Sequence, residues 1–152
     1  MKRILFVCLL LPFIGCSPAL AHSPTELACV NEINRVRSER GLPTLAILDC
    51  LHGDARKSAE VQHQRRNVGH FVGLRSPDGF GGCGEICASG DGVSHVVRMW
   101  LNSTDHRNIM LSQTKTHIAV GNSGRYFAAR LVGAPRVYSY SKPTYRKRWL
   151  FR

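Results

Sequence analysis

The chain has 152 residues and an excess of basic side chains, 21 Lys and Arg against 10 Asp and Glu, which gives a formal net charge of +11. This length fits one domain with a modest hydrophobic core rather than several domains. The charge favours anionic polymers or lipid head groups as partners, but the sequence has no P-loop, dinucleotide fingerprint or nucleic-acid-binding motif, so we expect no specific nucleic-acid partner.

The first 21 residues have the pattern of a targeting segment. Two basic residues precede an apolar run over residues 4–14, which is too short to span a bilayer comfortably. The small residues of Ala19-Leu20-Ala21 then predict that residues 1–21 are a signal peptide, cleaved before His22. The alternative is a lipoprotein signal that anchors the protein at Cys16. Either way, the sequence predicts an exported protein, periplasmic or secreted, with no transmembrane span in the mature chain.

Two helices are predicted in the first half of the mature chain. Ser23-Pro24-Thr25-Glu26 combines an N-cap, a proline at the first helical position and a capping-box Glu. This first helix should stop at Gly41. Asp49 can cap a second helix that runs to about Asn67, with a face of small residues turned inward.

The second half contains a long irregular segment, a third helix and a hairpin. From Gly69 to Gly92 glycines are frequent and periodicity is lost, as in loops that are functional or mobile. Strands are predicted over 117–121 and 126–132, joined by a turn at residues 122–124. This order of elements predicts an α+β fold, with helices packed on a small antiparallel sheet. Between the loop and the hairpin, apolar residues recur at helical spacing and predict the third helix, with an amphipathic stripe formed by Val93, Val96, Val97, Trp100 and Leu101.

Four cysteines follow the predicted signal peptide: Cys29, Cys50, Cys83 and Cys87. An even count in a small exported domain indicates two disulfides. Three connectivities are possible, and the sequence alone does not choose between them. The pairs Cys29–Cys50 and Cys83–Cys87 are preferred because each links neighbouring segments, and the second would fix the loop that contains Glu85. The spacing does not match that of a zinc finger.

Several motifs occur in a fixed order along roughly residues 25 to 133. They are Gly41-Leu42-Pro43, His70, Gly84-Glu85-Ile86-Cys87, Trp100 with Ser103, His106-Arg107-Asn108-Ile109-Met110, and Ile118-Ala119-Val120-Gly121. In this order they resemble the CAP superfamily (cysteine-rich secretory proteins, antigen 5 and plant pathogenesis-related proteins) in its short bacterial form. The resemblance implies a CAP-type three-layer α-β-α sandwich over residues 22–134, followed by a basic C-terminal tail over 135–152.

The resemblance implies that His70, Glu85 and His106 share one cavity. Two neutral imidazoles beside a carboxylate suit Zn²⁺, so His70 and His106 are the candidate metal ligands. Glu85 could then hold or deprotonate a zinc-bound water. The alternative is that both histidines hydrogen-bond within the fold and bind nothing. If the rings share an ion, their nitrogens should lie within about 5 Å of each other.

Two functions are open at this point. The first is a non-enzymatic binding module of the cell envelope or extracellular space, whose ligand is an apolar small molecule, a lipid or an anionic envelope component. The alternative is a metal-assisted, peptidase-like hydrolase that uses His70, His106 and Glu85. The second acidic residue of the eukaryotic cavity has no clear counterpart after Trp100, which favours the binding module.

Overall fold

The computed structural model describes residues 21–135. Residues 1–20 of the predicted signal peptide, with Cys16, and residues 136–152 of the predicted basic tail lie outside the described residues. Within the described range, no helix is both long enough and apolar enough to cross a membrane. The elements in chain order are α1 (Pro24–Ser38), β1 (Ala46–Ile47), a 3₁₀ turn (Asp49–Leu51), α2 (His52–Arg65), β2 (Cys83–Ser89), α3 (Val93–Asn102), α4 (Thr104–Met110), β3 (Lys115–Ser123) and β4 (Tyr126–Gly133).

The structure contains the helices and the hairpin that the sequence predicts. Ser23 caps α1 through a capping box, in which its hydroxyl accepts from the Glu26 backbone N–H and its own N–H donates to the Glu26 carboxylate. The second helix is preceded by a 3₁₀ turn over Asp49–Leu51, and Asp49 does not cap it as predicted, because its carboxylate contacts His22 instead. The helix ends at Arg65, and the next residue, Arg66, has a φ of +51°. Between β3 and β4, Gly124 adopts a φ of +56°, which suits a tight hairpin turn.

The four strands form one sheet in the order β1-β3-β4-β2. Strand β4 pairs antiparallel with β3, as the predicted hairpin requires, and also antiparallel with β2. The short β1 pairs parallel with β3, so the sheet is mixed. Strand β2 is a difference from the sequence analysis, which assigned residues 69–92 to a loop. The full-length pairing of β2 with β4 explains this difference, because a partner so distant in sequence leaves no local signal.

Alternation along the strands separates the two faces of the sheet. On one face, Ile118, Val120 and Leu131 belong to the main hydrophobic core, to which α1, α3 and α4 also contribute. On the opposite face, Ala119 and Val132 pack against residues of the 3₁₀ turn and α2. Helices therefore cover both faces, which confirms the α+β sandwich predicted from the resemblance.

The predicted disulfides are absent, because all four cysteines of the described chain are free thiols. The pair Cys83–Cys87 was wrong because both residues lie on β2, four positions apart. At about 3.3 Å per residue their Cα atoms are about 13 Å apart, whereas a disulfide needs about 4.4–6.8 Å. The pair Cys29–Cys50 was also wrong. Cys29 is enclosed in the main core, whereas Cys50 is exposed on the 3₁₀ turn.

Helix α2 lies unusually close to β3 because small residues face the sheet. Ala55 and Ala59 are fully buried on the helix, and Gly121 lies opposite on β3. A Cβ atom added at Gly121 would lie 2.2 Å from the carbonyl carbon of Ala55, which is backbone and cannot rotate away. The absence of a side chain at Gly121 is therefore a condition for this helix position.

We predict that Gly121→Ala destabilises the protein by about 3 kcal/mol or more, because the added methyl group must push α2 away from the sheet. Urea unfolding followed by circular dichroism measures this change. Gly53→Ala is the matched control, since Gly53 lies in α2 and an added Cβ would meet no atom within 4 Å. That substitution should leave stability unchanged or raise it by up to about 1 kcal/mol. Equal effects of the two substitutions would contradict the packing argument.

Candidate functional site

The centre of the candidate site is a buried arginine that the sequence analysis did not identify. Arg130 lies on β4 and is completely buried. Its guanidinium donates to Glu85 Oε1 at 2.9 Å and to Asp54 Oδ2 at 3.2 Å. It also donates to the carbonyl oxygens of Val72 and Gly73, at 3.2 and 3.3 Å. Arg130 thus joins the sheet, α2 and the segment that follows His70.

Glu85 connects this arginine to His70. Its side chain is 1% exposed, and its second oxygen, Oε2, lies 2.8 Å from His70 Nδ1. A carboxylate oxygen accepts, so His70 Nδ1 carries the hydrogen and donates it. The His70 side chain is 55% exposed, so the ring faces solvent while its Nδ1 is hydrogen-bonded to the buried Glu85 carboxylate. The predicted proximity of His70 and Glu85 is present in the structure.

His106 lies beside His70, on α4. The two ring centres are 6.5 Å apart, at an interplanar angle of 64°. Two imidazoles on one tetrahedral zinc ion, with zinc–nitrogen distances of about 2.0 Å, have ring centres about 5 Å apart, so these rings would need to approach by more than an ångström. Burial lowers the pKa of His106, and the charge of a protonated His70 would lower it further. The nearby Asp105 carboxylate acts in the opposite direction but is the smallest of the three effects, so the neutral ring of His106 is favoured.

Cys87 is a second site residue that the sequence analysis did not place here. Its Sγ lies 3.8 Å from His70 Nδ1 and accepts a hydrogen bond from Gln62 Nε2 at 3.4 Å. Burial raises the pKa of the Cys87 thiol to about 12, and the Glu85 carboxylate adds to this effect. Ligand atoms of His70, Glu85 and Cys87 all lie within 4.8 Å of one another. The structure thus brings a thiol, an imidazole and a carboxylate together.

An apolar groove adjoins this cluster at the free edge of β2. Its volume is about 310 Å³, at the low end of the roughly 300–1,000 Å³ found for small-molecule sites. Val68 and Met99 flank it with about two fifths of their surface exposed, and Trp100 is fully buried beneath them. The groove is lined by Val68, Cys87, Ala88, Ser89, Met99, Trp100, Ser103 and His106.

A second cluster of potential ligands surrounds the start of α1. His22, Glu26 and His52 have ligand atoms within 4.8 Å of one another. However, Arg56 makes two hydrogen bonds of 2.8 Å to the Glu26 carboxylate, and His52 Nε2 lies 3.1 Å from it. The guanidinium occupies both oxygens of this carboxylate and leaves neither free to bind a cation. We therefore assign this cluster a structural role, holding the first turn of α1 against α2.

The family comparison agrees with the motifs. The model of the cysteine-rich secretory protein family, CAP, matches residues 30–126. This range includes His70, Glu85, Cys87 and His106. No curated protein matches the chain.

Solved structures with the same fold come from several organisms. The chain is similar to an extracellular protein containing an SCP domain from Bacillus anthracis, with 20% identity and a TM-score of 0.62, over 72% of this chain but 40% of that protein. An outer surface protein of Borrelia burgdorferi gives 22% identity and a TM-score of 0.63, over 76% of this chain and 97% of the other. Venom allergen-like protein 4 of Schistosoma mansoni is 16% identical, with a TM-score of 0.57, and the match covers 75% of this chain and 90% of that protein.

We predict that Arg130→Met destabilises the protein by about 3–5 kcal/mol at pH 7, because it leaves the buried Glu85 carboxylate without its cation. The measurement is denaturant unfolding. Arg125→Met is the matched control, since Arg125 is 58% exposed and its 3.4 Å contact with Asp91 is a surface pair, worth less than about 1 kcal/mol. A cost for Arg130→Met as small as that of Arg125→Met would show that the buried pair is dispensable.

The Glu26 cluster predicts a loss of stability in acid. Burial alone would raise the pKa of Glu26, but hydrogen bonds from Arg56, Ser23 and His52 lower it from 4.5 to about 2. The ionised carboxylate thus stabilises the fold above pH 4.5, by about 3 kcal/mol, and this contribution disappears as the pH falls towards 2. Glu26→Gln should lower stability at pH 7 and flatten the pH dependence of unfolding between pH 5 and 2. Glu60→Gln, an exposed change on α2, should retain the wild-type pH profile.

Proposed function

The chain belongs to the CAP family of cysteine-rich secretory proteins, and we propose that it is a non-enzymatic binding module, exported to the cell envelope or extracellular space. The observation that carries the proposal is the apolar groove that lies beside His70 and Glu85 and is lined in part by His106. Solvent-exposed apolar side chains over a buried tryptophan are typical of a surface that takes an apolar ligand.

We infer that the ligand is a single-chain amphiphile, with an acyl chain and an anionic head. The apolar part of the groove, formed by Val68, Met99 and Trp100, suits the chain. Ser103 and His106 line the same groove and can donate hydrogen bonds to a carboxylate head. The formal charge of +11 also favours an anionic ligand over a cationic one. The small volume suits one short chain.

The arrangement of Glu85 supports binding rather than hydrolysis. A metal-assisted hydrolase with His70, His106 and Glu85 would need a carboxylate that can reach the proton of an attacking water. Glu85 uses one oxygen for Arg130 and the other for His70, and its side chain is 1% exposed. A base held in this way orients His70 instead.

Export is supported by the N-terminal sequence and by the similar proteins. We propose residues 1–21 as a signal peptide, with lipidation at Cys16 as the alternative, and 22–134 as the CAP domain. Two of the similar structures are named as an extracellular protein and an outer surface protein. The basic tail over 135–152 would favour anionic envelope surfaces.

We predict that octanoate binds the purified protein, and that Met99→Gln lowers its affinity about tenfold, because the substitution removes apolar contact area from the groove. Isothermal titration calorimetry measures both affinities. Leu27→Gln is the matched control, since Leu27 is exposed to the same degree as Met99 but lies on α1, outside the groove. It should bind octanoate like the wild type.

Two results would argue against this function. One is the same octanoate affinity in the Met99 and Leu27 variants, which would place the ligand elsewhere. The other is turnover of p-nitrophenyl esters or casein that requires added Zn²⁺ and is lost in His70→Ala, which would favour the hydrolase. We expect rates equal to those of buffer in both assays.

A further inference from the structure

We propose that His70, Glu85 and Cys87 form a site for a thiophilic divalent cation such as Zn²⁺, with Cys87 as the ligand that selects the metal. The site differs from the His70–His106 pair that the sequence predicted. Cation binding here does not depend on a ligand in the apolar groove, so each can be present without the other.

The distances between the three ligand atoms suit a tetrahedral ion. Ligand atoms on one zinc ion lie about 3.3–3.8 Å apart, given zinc distances of about 2.0 Å to nitrogen and oxygen and 2.3 Å to sulfur. Cys87 Sγ and His70 Nδ1 are 3.8 Å apart. His70 Nδ1 and Glu85 Oε2 are 2.8 Å apart and must separate by about half an ångström. The exposed His70 ring can make this adjustment.

The surroundings of the three ligands match the needs of a metal site. Arg130 holds the other oxygen of Glu85, and Gln62 donates to Cys87, so two ligands already have supporting hydrogen bonds. The formal charges also balance. Glu85, Asp54 and a Cys87 thiolate carry three negative charges, which Arg130 and a divalent ion neutralise. The half-exposed His70 provides an entry path.

Metal binding at this site releases one proton. The Cys87 S–H bond breaks as the sulfur–metal bond forms, and that proton leaves to solvent. The proton on His70 Nδ1 moves to Nε2 through solvent, so the ring remains neutral while Nδ1 binds the ion. Three protein ligands leave the fourth tetrahedral position for water. A thiolate ligand favours zinc, cobalt and other thiophilic ions over Mg²⁺ and Ca²⁺, which prefer oxygen.

Cobalt provides the decisive test, because Co²⁺ bound to a thiolate gives a near-ultraviolet charge-transfer band. We expect the reduced full-length protein to bind one Co²⁺ with this band and to release it on addition of Zn²⁺. Cys87→Ser should abolish the band and weaken binding at least about tenfold. Cys83→Ser is the matched control, since Cys83 lies on the same strand but outside the ligand cluster, and it should retain both.

The variant His106→Ala distinguishes this three-ligand site from a site formed by His70 and His106. We expect it to change cobalt affinity by less than about threefold, because His106 is not among the three ligands. The proposal is overturned if the wild type binds no Co²⁺, or if it binds Co²⁺ without a charge-transfer band. Loss of binding in His106→Ala together with retention in Cys87→Ser would also overturn it and support the pair.

A measurement on the wild type covers the case in which Cys87→Ser does not fold. Iodoacetamide alkylation under mild denaturant, mapped by mass spectrometry, should show that Zn²⁺ protects Cys87 and leaves the exposed Cys50 reactive. Equal alkylation of Cys87 with and without Zn²⁺ contradicts the site. The octanoate affinity is measured separately, so a failed metal site leaves the proposed function standing, and the reverse also holds.

Discussion

The buried guanidinium of Arg130 is the interaction on which the candidate site depends. Removing this charge from water costs several kcal/mol, which only a full set of acceptors can offset. The set comes from three parts of the chain: Glu85 on β2, Asp54 on α2, and the carbonyl groups of residues 72 and 73. Because the arginine needs all of them, it fixes the segment after His70, the depth of Glu85 and the position of α2 together. The orientation of His70 follows, since Glu85 can hold its ring only where Arg130 holds Glu85.

Small side chains make this charge cluster possible. With Ala55 and Ala59 on α2 and Gly121 on β3, the helix backbone approaches the sheet closely enough for Asp54 to reach Arg130. A larger residue at Gly121 would lift the helix and open the cluster to water. Apolar packing and the ion pairs therefore support each other, because the close packing excludes the solvent that would otherwise weaken the pairs.

Local patterns predicted the elements that depend on local physics: the capping box of Ser23 and Glu26, the amphipathic α3, and the hairpin at Gly124. The resemblance predicted the layered fold and the proximity of His70 and Glu85. Strand β2 was missed because its stability comes from pairing with β4, about forty residues later in the chain.

Missing strand β2 had two consequences for the predicted site. In a loop, Cys83 and Cys87 could meet, but in a strand they cannot. Recognising the strand would also have placed Glu85 and Cys87 on one face, by its period of two. Arg130 could also have been identified from the sequence, because it is a charged residue within an otherwise apolar strand. Such a residue is buried only when it is paired, so its position predicts a buried acidic partner.

Strand β2 places the polar cluster beside the apolar groove. As an edge strand it pairs with β4 on one side only, and its free edge must be covered or blunted. Helix α4 packs on one face of this strand, because Gly84 lacks a side chain and Ile109 lies in the space that one would occupy. The same helix places His106 beside His70. Residues 87–89 of the same strand line the apolar groove, together with residues of α3 and α4. Glu85 and Cys87 point towards α2, whereas Ile86 and Ala88 join the main core on the other face. The polar cluster and the groove are therefore neighbours that meet at Cys87.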